Sequence, residues 1–209
     1  MEFFTVNENF KAELTVKRSK FIANIYGCAQ REEAEKIIKS VKTKYYDAKH
    51  NCYAYICSGL NQKTKVEKYS DDGEPNGTAG KPIMDILKYN NLTNCVLVVT
   101  RYFGGILLGT GGLTHAYSDS ANLCIKNANL KKLYLCAFFN AEISYSELSV
   151  IENSLLKYNG VILEKEFGSN IKITVALKKE NEEAFLLETA NRLNGKENFL
   201  KIKEEFYGF

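Results

Sequence analysis

The feature that most constrains this chain is a stretch rich in turn-forming residues, residues 70 to 82. It contains both prolines of the chain, three glycines and three acidic residues. Glycine reaches positive φ without a steric penalty, whereas proline fixes φ near about −65° and removes a backbone donor. The alternation of Gly73, Pro75 and Gly77 therefore predicts a loop of defined shape, not a slack linker.

A second glycine-rich stretch, residues 100 to 120, follows the strongest predicted strand, 94 to 103, and contains five glycines between positions 104 and 112. We predict that the two stretches form the walls of one binding site. The candidate binding residues are Asp71, Asp72, Glu74, Gly77, Thr78 and Lys81 on the first stretch, and Arg101, Gly104, Gly105, Gly109, Gly111, Gly112, His115 and Tyr117 on the second.

The acidic residues of the first stretch have more than one interpretation. Carboxylate oxygens are the ligands that Mg²⁺ prefers, so Asp71, Asp72 and Glu74 could bind a divalent cation. Short acidic side chains more often accept hydrogen bonds from the backbone of their own loop and hold it in shape. A third hypothesis makes Asp72 and Glu74 the acidic lip of a partner-binding groove. No strand-borne carboxylate nearby completes a metal site, so no metal is predicted.

The glycines of the second stretch come just before a predicted helix. Because backbone N–H groups at a helix N-terminus bind anions, Gly109-Thr-Gly-Gly112 is a candidate phosphate cradle; the alternative is tight packing without a ligand. The pattern is not a P-loop, since proline follows Gly80-Lys81, and it is not a dinucleotide fingerprint, since Thr114 replaces the third glycine. Lys81 and Arg101 are the basic residues expected nearest the groove, where either could neutralise a phosphate or a carboxylate.

His50 and Cys52 lie two residues apart on a predicted strand and hence on the same face. Two ligands do not make a zinc site. Catalysis by Cys52 or Ser70 would need an oriented base, and no partner motif supports it. The aromatic residues near the two stretches suit either stacking on bases or packing in a core, and they are Tyr53, Tyr55, Tyr102, Phe103 and Tyr117.

Strand and helix patterns divide the chain into two domains, residues 1–134 and 135–209, joined by a linker predicted at 129–134. In the second domain the order strand, helix, strand, strand, helix, strand is that of a ferredoxin-like βαββαβ unit. We therefore predict a two-domain α+β protein. The predicted strands are 10–16, 19–26, 51–58, 94–103, 135–145, 161–167, 171–178 and 197–206, the helices are 30–46, 82–89, 113–128, 146–159 and 180–193, and residues 59–65 are a loop.

The two domains differ in charge. Residues 1–134 carry 19 Lys and Arg and 13 Asp and Glu, a net charge of +6, whereas residues 135–209 carry 9 and 12, a net charge of −3. This asymmetry is compatible with a polyanionic partner for the first domain, although a solvated lysine face is its commoner meaning. The chain has no membrane-length apolar run and no signal-peptide pattern, which favours the cytoplasm and reduced, mostly buried cysteines.

Several uncommon motifs together resemble the signature of the IMPACT/YigZ family. They are Lys20-Phe-Ile22, His50-Asn-Cys-Tyr-Ala-Tyr55, Ser70 to Pro82, Val98 to Gly105, Leu108 to Leu113 and Ala116-Tyr-Ser118. The resemblance implies an α/β sandwich like the second domain of a small-subunit ribosomal protein, followed by a ferredoxin-like domain similar to the last domain of elongation factor G. The family usually has arginine at the position of His115, so an anion contact there would be weaker or pH-dependent.

The resemblance to translational-control regulators and the basic first domain lead to one functional prediction. We expect a cytoplasmic binding protein, without a cofactor, that acts on the translation apparatus through RNA, the ribosome or a translation-factor partner. The alternative is a small hydrolase or phosphoryl-handling enzyme, with a phosphate on Gly109–Gly112 and a metal on Asp71 and Asp72. A protein-only adaptor that docks through its second domain is a third hypothesis.

Overall fold

The computed structural model describes residues 3–58, 65–195 and 199–209 of the 209-residue chain. It divides into two compact units, Met1–Lys132 and Leu133–Phe209. All but the last residue of the loop predicted at 59–65, and the predicted strand start at 197, lie outside the described residues.

Unit 1 consists of a sheet with helices on both faces. Its strands are β1 (Phe3–Val6), β2 (Phe10–Val16), β3 (Ser19–Gly27), β4 (His50–Cys57), β5 (Val66–Ser70) and β6 (Cys95–Tyr102), and its helices are α1 (Arg31–Lys44), α2 (Gly80–Tyr89) and α3 (Gly109–Asn127). Within the described residues, β2 to β6 form an antiparallel sheet in the order β2–β3–β6–β4–β5. The predicted hairpin and central strand are therefore confirmed.

The central strands β4 and β6 are buried on both faces because their side chains are apolar at odd and even positions alike. On one face, Ala54 and Leu97 pack against residues of α2 and α3. On the other face, Tyr55 and Val98 pack against α1. Two separate apolar layers thus fix β4 and β6 in the sheet.

Two segments of unit 1 differ from the prediction. The last helix begins at Gly109, so the glycines expected to precede it form its first turn. Glycine has a low helix propensity, which is why the sequence pattern placed the start at residue 113. The first strand, β1, was not predicted; Phe4 donates a backbone hydrogen bond to Asn91 and accepts one from Thr93.

Unit 2 has the predicted ferredoxin-like order. Its elements are β7 (Leu130–Ile143), α4 (Leu148–Lys157), β8 (Val161–Phe167), β9 (Ile171–Lys178), α5 (Glu182–Arg192) and β10 (Leu200–Tyr207). The strands β10–β7–β9–β8 form an antiparallel sheet, and Ile151, Leu155 and Phe185 of the two helices pack on one face of it. The predicted linker at 129–134 is wrong, because β7 already begins at Leu130.

None of the helices in the described part of the chain is long and apolar enough to cross a membrane. The six cysteines are all free and buried, as expected for small apolar side chains in reduced form.

Candidate functional site

Asp71 shapes the loop between β5 and α2, residues 70–82, which we call loop 70–82. Its carboxylate accepts hydrogen bonds from the N–H groups of Gly77 at 2.9 Å, Ala79 at 3.0 Å and Gly80 at 2.8 Å. The Ala79 and Gly80 N–H groups lie at the start of α2 and lack an acceptor within the helix, whereas Gly77 belongs to the loop before it. A charged acceptor makes such bonds stronger than neutral ones. The structure therefore supports the loop-shaping role of Asp71.

Asp72 ties loop 70–82 to the elements behind it. One carboxylate oxygen lies 2.5 Å from Lys42 Nζ on α1, and the other accepts the Asn51 N–H of β4 at 2.8 Å. Its backbone has a φ of 45°, a conformation that Asp tolerates better than most residues. Because both oxygens are engaged, Asp71 and Asp72 do not present a pair of free metal ligands. In residues 3–58, 65–195 and 199–209, we find no cluster of three or more side chains suited to a metal.

Glu74 lies at the centre of a buried polar cluster. Its Oε1 accepts a hydrogen bond from Arg101 Nη1 at 2.7 Å and another from the Tyr117 hydroxyl at 2.9 Å. The side chains of Glu74 and Arg101 are 3% and 7% exposed, so this ion pair is shielded from water. Burial is the main cause of the raised pKa of Tyr117, which keeps its hydroxyl protonated as a donor. Glu74 is thus an internal tie and not the acidic lip that the sequence suggested.

Cys52 belongs to the same buried cluster. Its thiol donates to the Asp71 carbonyl oxygen at 2.9 Å, and its sulfur also lies 3.3 Å from the Tyr117 hydroxyl oxygen. Burial raises its pKa, so the reactive thiolate is disfavoured. The fully buried position of Cys52 also removes it from solvent.

His50 stands on β4 directly opposite Arg101 of β6 in the strand register. Its Nδ1 lies 2.9 Å from the Asp72 carbonyl oxygen. A carbonyl oxygen can only accept, so Nδ1 carries the proton and the ring orientation is fixed. The other ring nitrogen, Nε2, lies 3.9 Å from Glu74 Oε1, beyond hydrogen-bond distance.

The segment between β6 and α3, residues 103–108, forms a second loop that we call loop 103–108. Gly104 approaches the β2–β3 turn so closely that a Cβ there would lie 2.1 Å from the Arg18 carbonyl carbon. Only glycine fits this contact. The Phe103 ring lies 5.5 Å from the Arg101 guanidinium and is half exposed, while the Leu107 side chain is 84% exposed. The contact between Gly104 and the β2–β3 turn therefore holds loop 103–108, which is partly apolar, beside the Glu74–Arg101 pair.

The start of α3 follows loop 103–108. Gly109 has a φ of 72°, which glycine adopts without strain. Leu108, the residue before the helix, supplies no side-chain acceptor to the first-turn N–H groups. These donors are free of intrahelical partners by the geometry of an α-helix and carry a partial positive charge.

The two loops meet in one cleft of about 420 Å³ within unit 1. Residues of both predicted stretches contribute to its lining. Its polar and charged lining consists of Lys49, His50, Glu74, Arg101 and Thr110, and the rest is Gly73, Pro75, Phe103, Leu107, Leu108, Gly109 and Leu113.

The sequence of this unit matches the model of the Impact N-terminal domain over residues 17–125, and residues 142–196 match a domain of unknown function, DUF1949. A Bacillus subtilis protein named IMPACT family member YvyE is 33% identical over 97% of this chain and 90% of its own length. This chain belongs to the IMPACT family.

Other comparisons extend the likeness over most of this IMPACT-family protein. The Escherichia coli IMPACT family member YigZ is 32% identical over 90% of this chain and 92% of its own length. A crystal structure described as that of a hypothetical protein aligns with a TM-score of 0.63 and 29% identity, covering 98% of both chains. The resemblance that the sequence motifs suggested is thereby confirmed.

The predicted binding residues of this IMPACT-family protein occupy three kinds of position. Glu74, Arg101 and Gly109 line the cleft. The structure does not bring Lys81 or His115 to it: Lys81 pairs with Asp85 at 3.1 Å on the exposed side of α2, and His115 is exposed on α3. The others support or flank the cleft, and they are Asp71, Asp72, Gly77, Thr78, Gly104, Gly105, Gly111, Gly112 and Tyr117.

Several lining residues were missed at the level of sequence. Lys49 immediately precedes the strand that carries His50, and its charge, unlike that of Lys81, lies at the cleft. The apolar residues Leu107 and Leu108 sit in a glycine-rich loop, where a solvated polar sequence would be usual. That contrast is the signal that could have indicated a partly apolar binding surface.

Proposed function

We propose that this protein is a cytoplasmic binding protein that acts on the translation apparatus, contacting RNA or a ribosome-associated protein through the cleft of unit 1. The observation that carries this proposal is the meeting of loop 70–82 and loop 103–108 around one preformed cleft. Membership of the IMPACT family, whose sequence signature resembles that of translational-control regulators, supports the biological setting.

The charges around the cleft support a negatively charged partner. Lys49 lines the cleft, and Lys17 and Arg18 lie in the turn that contacts Gly104. Among the described residues these three side chains have no acidic partner. Unpaired cations on one side of a protein attract polyanions and accelerate their association, an effect that salt weakens.

Co-sedimentation with ribosomes in a salt series tests the proposal. We expect the protein to pellet with ribosomes at about 50 mM salt and to be released at about 200 mM, as electrostatic contacts are screened. Lys49→Glu should lower the pelleted fraction, because it reverses the charge in the cleft. The matched control is Lys81→Glu, which makes the same change on an exposed helix face outside the cleft and should leave pelleting unchanged. A protein that stays in the supernatant at low salt and shifts no RNA in a gel contradicts the proposal.

The alternative, a small hydrolase or phosphoryl-handling enzyme, is favoured by one observation, the orientation of His50. A histidine with a fixed Nδ1–H and an available Nε2 can act as a general base. The same hypothesis loses its proposed metal ligands, because the Asp71 and Asp72 carboxylates are engaged in hydrogen bonds. Calorimetric titration with nucleotides and Mg²⁺ discriminates the two: saturable binding that is lost in Asp72→Ala supports the enzyme.

A further inference from the structure

The net charge of the cleft matches a ligand with a single negative charge. The Arg101 guanidinium is already balanced by Glu74 at 2.7 Å. The remaining positive contributions are the Lys49 ammonium and the first turn of α3, which carries a partial charge of roughly half an elementary unit. A carboxylate fits this balance of the lining, to which Lys17 and Arg18 of the neighbouring turn do not belong.

A second, independent feature points to a polar ligand group. His50 lines the cleft and is only 9% exposed; its Nδ1 is engaged by the Asp72 carbonyl, while its Nε2 stops 3.9 Å short of Glu74 Oε1, beyond hydrogen-bond distance. With the proton on Nδ1, Nε2 keeps a lone pair that can accept a hydrogen bond from a group in the cleft. A ligand in the cleft would supply that group.

The remaining walls are apolar. Leu107 is 84% exposed and Phe103 is 50% exposed, and both line the cleft together with the half-buried Leu108. Large exposed apolar side chains at a concave site mark a binding surface more often than isolated ones elsewhere do. The ligand should therefore carry an apolar group close to its charged end.

We propose that the cleft binds the C-terminal carboxylate of a partner protein whose last side chain is apolar. This inference rests on the proposed function and names the partner class for the same site. In this proposal the carboxylate of the partner lies at the start of α3 near Lys49. A polar atom of the partner's last residue reaches His50 Nε2, and the side chain of that residue packs on Leu107 and Phe103. Capture of a chain terminus by backbone N–H groups is a recurring mode of peptide recognition.

Isothermal titration calorimetry of the full chain tests this, with N-acetyl-Ala-Ala-Leu bearing a free carboxylate as the probe. We expect saturable binding, with the C-terminal amide of the same peptide about tenfold weaker or more, because a charge-assisted contact is lost. N-acetyl-Ala-Ala-Lys should also bind more weakly. Leu107→Ser and Lys49→Glu should each weaken binding several-fold, whereas Leu156→Ser and Lys81→Glu, at exposed positions outside the cleft, should not.

The outcomes separate the two levels of the proposal. Carboxylate recognition is overturned if the peptide acid and the peptide amide bind equally well. It is also overturned if inorganic phosphate displaces the peptide, or if the peptide does not bind at all. If the peptide fails but Lys49→Glu still releases the protein from ribosomes, the cleft keeps its proposed function with a different ligand, such as RNA. If both measurements fail, the proposed function falls as well.

Discussion

The buried ion pair between Glu74 and Arg101 gives the sharpest test of how the site is held together. Glu74→Gln keeps the size of the side chain and removes its charge, which leaves the Arg101 guanidinium, 7% exposed, without a counter-ion. Breaking one partner of a buried pair costs about 3–5 kcal/mol. With a urea m-value of about 2 kcal/mol/M, the unfolding midpoint of unit 1 should fall by about 2 M.

The assay must report unit 1 separately, because the chain has no tryptophan and its 13 tyrosines are spread over both units. Hydrogen-exchange mass spectrometry across a urea series does so, with peptides from β6 and α3 reporting unit 1 and peptides from β9 reporting unit 2. Glu13→Gln is the matched control, since Glu13 pairs with Lys11 and Lys20 at the surface and should change the midpoint little.

A double variant separates lost charge from lost packing. Glu74→Leu combined with Arg101→Met removes both charges and should recover most of the loss, because no uncompensated ion remains in the interior. The reasoning is refuted if Glu74→Gln shifts the midpoint no more than Glu13→Gln does. It is also refuted if the double variant is less stable than the single one.

Three further predictions concern the loops and the thiols. Gly104→Ala should destabilise unit 1 by about 3 kcal/mol in the same assay, since its Cβ would overlap the backbone of the β2–β3 turn, whereas Gly111→Ala, whose Cβ meets open space, should not. Asp71→Asn should speed exchange at the Gly80 amide about tenfold or more by weakening its hydrogen bond, and unchanged protection there would contradict the capping role. In native protein at pH 8, iodoacetamide should label the six cysteines only slowly until urea unfolds the chain, because all six are buried and burial raises the pKa of Cys52, Cys95, Cys124 and Cys136; fast labelling without urea would refute this.

Much of the fold could be predicted because its local patterns agree with its tertiary packing. The strand that became β4 is apolar on both faces in the sequence, and Ala54 and Tyr55 do pack in opposite layers. Patterns failed where packing overrides propensity. The glycines from Gly109 onward are poor helix formers yet make the first turn of α3, and the linker predicted at 129–134 is instead the start of β7.

The candidate site was predictable only in part, because its geometry depends on residues far apart in the chain. The sequence identified the two loops, but nothing in it indicates that Glu74 pairs with Arg101, 27 positions away. Once that pair forms, Glu74 is interior and Arg101 is neutralised, so the roles first considered for both change. The direction of Lys81 likewise depends on which side of α2 faces the sheet.

The register that sets His50 across from Arg101 makes the floor of the cleft a piece of the central sheet. This floor can change shape only if hydrogen bonds between β4 and β6 break. We therefore expect the cleft to keep its shape when a ligand binds, so that binding orders little of the backbone. We therefore expect substitutions in loop 103–108, where Leu107 is 84% exposed, to change ligand preference more readily than substitutions in the strands.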